Sequence, residues 1–130
     1  MGQQQLLIIA LAVIIVAAAI VMGINIFNAH SIQTNRDAIL NNLQHVATLT
    51  QQYYKKPRML GGGGGNYTGV DNQGVIPTGL ITNDNGTITF TVSPNSVILT
   101  GQGTEEVNSA PIEYTILVTA TTIGDPVLVN

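Results

Sequence analysis

The chain has no cysteine, no proline before Pro57 and no charged side chain before Arg36. Without cysteine there are no disulfides to stabilise a small exported domain, and the redox compartment goes unmarked. Oligomer formation is one remaining source of stability. Charged residues make up 8% of the 130 residues, against about 25% in ordinary soluble domains. The formal charge of −3 is too small to imply a nucleic-acid partner. Signals for chemistry are also missing: there is no nucleophile elbow, zinc-ligand spacing or triad. His30 and His45 stand too far apart for one metal site, and read as helix-surface or subunit-contact residues. Glu105 and Glu106 read as a solvated pair in a loop. The expectation is a protein that is not an enzyme and holds no metal or cofactor.

What is present begins with grease. Every residue from Leu6 to Ile24 is apolar or glycine, and Ile26 and Phe27 follow after Asn25. About 20 such residues span the hydrocarbon core of a bilayer as a helix. No Lys or Arg precedes them to set an orientation. The segment therefore belongs in lipid or among copies of itself. Leu6, Leu7, Ile8, Ile9, Leu11, Val13, Ile14, Ile15, Val16, Ile20, Val21, Ile24 and Phe27 are its candidate assembly residues. Ala10, Ala12, Ala17 to Ala19 and Gly23 are small enough for helices to approach closely.

Helical periodicity continues beyond the apolar run. Ile32, Ile39, Leu43, Val46 and Tyr53 recur at helical spacing, widened by Leu40, Ala47 and Tyr54. Asn35, Asn41, Asn42, Gln44, Gln51 and Gln52 form the polar side, so one face is expected to pack against the rest of the chain. Pro57 disfavours helix at Lys56 and ends the element. A helix from about Gln4 to Lys56 is about 80 Å long at 1.5 Å per residue. Gly61 to Gly65 follow. No Gly-Lys-Ser/Thr accompanies them, so a flexible connection is preferred to a phosphate loop.

The remainder reads as β. Leu80–Thr82 and Thr87–Val92 flank the turn-rich Asn83-Asp84-Asn85-Gly86. In the second of these strands Thr87, Thr89 and Thr91 alternate with Ile88, Phe90 and Val92, giving one polar and one buried face. Ser96–Thr100, Ile112–Ala120 and a short edge strand Val127–Val129 complete the sheet, with a loop from Gly101 to Pro111. The expected fold class is α+β: a long N-terminal helix, hydrophobic then amphipathic, followed by a small C-terminal antiparallel β domain. Its divisions are residues 1–58 for the helix, 59–78 for the glycine-rich connection and 79–130 for the sheet.

Charge is segregated. Arg36, Lys55, Lys56 and Arg58 are the basic residues, opposed before Gly61 only by Asp37. After Gly61 all six charges are acidic: Asp71, Asp84, Glu105, Glu106, Glu113 and Asp125. Lys55, Lys56 and Arg58 suit a solvated helix end, where the dipole favours cations. They also suit a contact with the acidic region of their own or a neighbouring subunit. Asn66-Tyr67-Thr68 and Asn85-Gly86-Thr87 fit the N-glycosylation acceptor pattern at Asn66 and Asn85.

An almost charge-free apolar N-terminus running into the amphipathic "TNRDAILNNLQHVATLTQQYY", then a proline, a loop and a small β domain, resembles a type IV pilin or a related prepilin-processed filament subunit. The organisation covers the whole chain; the motif match is confined to the helix and its "QQYYKKP" exit. The resemblance implies an extracellular homopolymer with apolar helices at its core, and subunits held in the cytoplasmic membrane before assembly. It also implies a prepilin peptidase and a pilus assembly machinery as partners. A leader would be removed near Met1, Gly2 and Gln3, with Met1 or Gln3 the first mature residue. Gln5 stands where many bacterial pilins carry glutamate, and the mid-helix proline of some pilus cores is absent. The paired cysteines of many bacterial pilins are missing too, and the helix departures bring the chain nearer to archaeal-type pili. Two other readings stay open at this point: a single-pass anchor displaying a β binding domain, and a cleaved secretory signal ending at Ala19.

Overall fold

The computed structural model describes residues 2–72 and 74–130. The fold is α+β, as the hydropathy pattern implies. Helix α1 (Gly2–Lys55) is followed by a 3-10 turn (Arg58–Leu60), a one-turn helix α2 (Thr78–Ile81) and five strands. These are β1 (Thr82–Asn83), β2 (Gly86–Ser93), β3 (Ser96–Val107), β4 (Ala110–Thr119) and β5 (Val127–Leu128), in an antiparallel meander of that order. The chain forms two compact units, 1–33 and 34–130. The second part of α1 therefore shares a unit with the sheet, whereas the sequence divisions kept the whole helix together.

In the second unit, rows of apolar side chains cross one face of the sheet. Phe90, Leu99 and Ile116 form one row, Val92, Val97 and Val118 the next. The helix face of Ile39, Leu43, Val46 and Ala47 belongs to the same buried cluster. In the third row Gly101 lies between Ile88 and Tyr114. A Cβ there would come within 2.9 Å of Ile39 Cγ2 and 3.1 Å of Leu43 Cδ1. Gly101 thus leaves the space into which Ile39 and Leu43 of the helix pack against the sheet. The outer face carries Thr89, Thr100 and Thr115 in one row and Thr91, Ile98 and Leu117 in another. The inward–outward alternation read in β2 thus continues through β3 as far as Gln102 and through the paired part of β4, with Ile98 and Leu117 making the outer face partly apolar.

Three local expectations are corrected. Leu80 and Ile81 belong to α2, and β1 begins at Thr82. Pro77 opens that turn: its carbonyl accepts from Leu80 N–H at 3.0 Å, and Asn83 Nδ2 closes the turn on Gly79 O at 3.1 Å. Second, Gly101 to Pro111 is no loop. Strand β3 runs to Val107, slips register between Gln102 and Glu106, and joins β4 through Asn108 and Ser109 at φ 53° and 65°. Two positive φ values in a two-residue connection match the twist of the paired strands. Glu105 and Glu106 accordingly stand on a strand.

Third, the five glycines are a built cap. A helix leaves its last carbonyls without intrahelical donors. Here Gly63 N–H donates to Tyr53 O at 2.8 Å, Gly64 N–H to Lys56 O at 2.9 Å and Gly65 N–H to Tyr54 O at 2.8 Å. The wrap leaves no room for a side chain at Gly62 or Gly63, and a Cβ on buried Gly63 would overlap the backbone oxygen of Asn66. Gly63→Ala is therefore expected to cost about 2 kcal/mol, the range for backbone displacement at a packed site. Chemical denaturation of the full chain in detergent measures it. Gly61→Ala, with open space around its Cβ position but φ 86°, carries only the strain of that backbone conformation.

Candidate functional site

Residues 2–33 form the candidate site, and their chemistry is uniform. Side chains of α1 are exposed from Gly2 to His30, with Ser31 and Ile32 half-buried, and the helix is long and apolar enough to cross a membrane, with none of its most apolar stretch buried. The thirteen predicted assembly residues range from 55% exposed at Ile24 to 70% at Leu7. Burying one such side chain contributes about 1.5–3 kcal/mol. Leaving all of them in water is therefore not a stable end state. The surface is grooved: Ile9, Ala12, Val13, Val16, Ala17 and Ile20 line an entirely apolar concavity. The alanines form its floor, so another apolar side chain or an acyl chain can sit close to the helix backbone. Helix α1 continues through Gly23 without interruption.

The helix-to-sheet residues separate. Ile39, Leu43 and Val46 are fully buried, while Tyr53 is half-buried and donates its hydroxyl to Thr68 O at 3.0 Å. Ile32 falls within the first unit. The second unit adds apolar cover that periodicity on the helix could not reveal. Tyr67, Val70 and Ile76, from the segment between the glycines and α2, enter the same core. Tyr67 stacks on Tyr54 with centroids 4.6 Å apart, and its hydroxyl has no hydrogen-bond partner among the described residues. Burial, with a smaller contribution from Tyr54, raises the Tyr67 pKa above the usual tyrosine value.

Asn35 is the residue that sequence reasoning missed. Placed there on the polar side, it is buried. Its Oδ1 accepts from the backbone N–H groups of Thr104 at 3.1 Å and Glu105 at 3.2 Å. Its Nδ2 donates to Asn85 O at 2.8 Å. The slip in β3 takes Thr104 and Glu105 out of the β4 ladder, and Asn35 supplies the missing acceptor. One side chain thus joins the helix, the β1–β2 turn and the β3 bulge. The signal available in the sequence was an asparagine one helical turn before Ile39, within the buried arc.

Of the two glycosylation candidates, Asn85 is exposed in the β1–β2 turn, with its amide N–H bonded to Asn83 Oδ1 at 2.9 Å. Asn66 is half-buried, its Oδ1 accepting from Thr68 N–H at 2.7 Å. Of the predicted processing residues, Met1 lies outside the described residues, and Gly2 and Gln3 are exposed in the first turn of α1. Beside the glycine cap, Leu49, Gln52, Tyr53, Lys56, Gly61, Gly74 and Val75 line an open cavity of about 430 Å³. Lys55, Lys56 and Arg58 are exposed and make no ion pair among the described residues; Arg58 Nε reaches Gly63 O at 3.4 Å.

Comparison with protein-family models, with curated proteins and with solved structures finds no match to this chain.

Proposed function

We propose that the protein is the structural subunit of an extracellular helical filament, polymerising through residues 6–27 and resting in the cytoplasmic membrane before assembly. The observation that carries this reading is the bare apolar part of α1 in a chain whose second unit already buries its own core. A contact that does not close on itself propagates as a fibre. Hydrophobic gain and the small-residue groove together favour helix-on-helix packing. The arrangement, a bare apolar helix continuing into one that carries a small antiparallel sheet, is also what the pilin resemblance implies. On that reading a prepilin peptidase and an assembly machinery act on the chain. Asn85, exposed on its turn, is then the acceptor more open to a glycan.

A permanent anchor is the second reading, and the fold strengthens it in one respect. The amphipathic stripe of α1 is covered by the chain's own sheet, so it needs no outside partner. What favours the filament is the composition of residues 2–33. They contain no Trp, Tyr, Lys or Arg, the residues that hold a permanent span at the two membrane interfaces. A segment without such anchors is better suited to leave the bilayer.

Electron microscopy of material sheared from producing cells, with mass spectrometry of the purified subunit, decides between them. Thin uniform fibres whose subunit keeps Leu6–Phe27 are expected. The same mass defines the mature N-terminus and any sugar. Unpolymerised protein that stays with the membrane would sink the filament reading in favour of the anchor, and a soluble product beginning at Ile20 would sink both.

A further inference from the structure

The second unit has two ends of opposite charge. Asn35 binds Asn85 O and the N–H of Glu105, so Asp84, Glu105 and Glu106 gather where this unit's share of the helix begins. Arg36 and Asp37, neighbours at that end, offset each other. Lys55, Lys56 and Arg58 stand at the other end, about 30 Å away along the helix at 1.5 Å per residue. Asp71, on the loop after Tyr67, is exposed and makes no ion pair with them among the described residues. The three cations are likewise exposed and without an ion-pair partner, and Lys56 lines the open cavity beside the glycine cap together with Gln52 and Tyr53. The opposite end offers a projection: the tight turn Asn83–Gly86, with Asp84 exposed on it.

We propose that a second copy of this chain docks head-to-tail on this unit, its Asp84, Glu105 and Glu106 end meeting the Lys55, Lys56 and Arg58 end with its cavity. This rests on the filament reading and deepens it. Charge complementarity selects the occupant. The sequence left two partners open for the basic cluster, its own acidic region and a neighbour's. The separation of about 30 Å removes the first for Asp84, Glu105 and Glu106. Docked end to end, each copy keeps one free surface of each charge, so the contact is not spent in a pair and repeats from copy to copy. One exposed ion pair contributes little. Three cations facing three carboxylates set register and direction, and like charges there would oppose docking.

Lys55 and Lys56 are the only lysines, so carbodiimide coupling reads the contact directly. Treating the native protein on cells joins a lysine amine to a carboxylate as an amide with loss of water. Mass spectrometry should find Lys55 or Lys56 linked to Asp84, Glu105 or Glu106, a link that one chain cannot span. Fibres with no such link would overturn this contact and leave the filament standing. The link without fibres would overturn the filament and support the contact; neither link nor fibres overturns both. Charge reversal supplies the second arm. Lys55→Glu/Lys56→Glu/Arg58→Glu and Asp84→Lys/Glu105→Lys/Glu106→Lys should each lower fibre yield by at least about tenfold. Co-expressed, they should restore fibres containing both chains. Undiminished yield from either variant alone overturns the contact.

Discussion

An Ala17→Asp subunit is expected to form no filaments while residues 34–130 keep their fold. Ala17 lines the apolar groove of α1 beside Val13 and Ile20. In a filament core that position faces other apolar helices, where an unpaired carboxylate costs several kcal/mol or must take up a proton. The penalty recurs in every subunit, so it cannot be diluted along a fibre. In a bilayer the same aspartate costs about 2.5–3.5 kcal/mol at the helix centre, which a long apolar helix can absorb. Ala17 contributes nothing to the buried cluster of the second unit. Thermal unfolding of that unit, followed in the full chain in detergent, should therefore be unchanged. Ala17→Ser, which keeps the groove floor small and adds no charge, should assemble. Electron microscopy of sheared material with membrane fractionation reads both variants, and normal fibres from Ala17→Asp would end the core-packing reading.

The parts of the fold visible in the sequence are those governed by periodicity. Ile39, Leu43 and Val46 announce a buried helix face because each step along the chain is set by helix geometry alone. The alternation of Thr87, Thr89 and Thr91 with Ile88, Phe90 and Val92 announces a two-sided strand for the same reason. The bare surface of residues 6–27 follows from composition. What stayed hidden depends on backbone groups brought together from a distance. Gly61 to Gly65 look flexible because glycine carries no side chain to pattern. Their order comes from the carbonyls of Tyr53, Tyr54 and Lys56, which hold Gly63 to Gly65, and from those of Pro57 and Arg58, which hold Gly61 and Gly62, and only the folded helix end presents them. Gly101 to Val107 shows no clean alternation, since Gly101 and Gly103 replace the side chains that would mark the inner face. Its strand character depends on β4 pairing and on Asn35, which lies far away in sequence. The opposed charge of the two ends was legible as a list of residues, but its direction required the meander and the helix to be laid side by side.

Asn35→Ala is expected to cost the second unit about 3 kcal/mol. The substitution removes little apolar area, so its effect arises almost wholly from stranded partners. The N–H groups of Thr104 and Glu105 lose their acceptor, and Asn85 O loses its donor. Each unsatisfied buried group costs about 1–3 kcal/mol, reduced where water can reach it. Two of the three stand at the β3 bulge, where the β4 ladder offers no replacement. For a unit of this size that loss lowers the melting temperature by roughly 15 °C. Asn35→Asp separates the two halves of the arrangement. Its carboxylate still accepts from Thr104 and Glu105, but it points a negative charge at Asn85 O and recovers only part of the loss. Asn85→Ala should be nearly silent, because the bond from Asn35 is to the main-chain oxygen, which survives the change. Denaturation of the full chain in detergent measures all three. A loss for Asn35→Ala no greater than that for Asn85→Ala would mean that the bulge finds its acceptors elsewhere and that Asn35 does not hold the helix to the sheet.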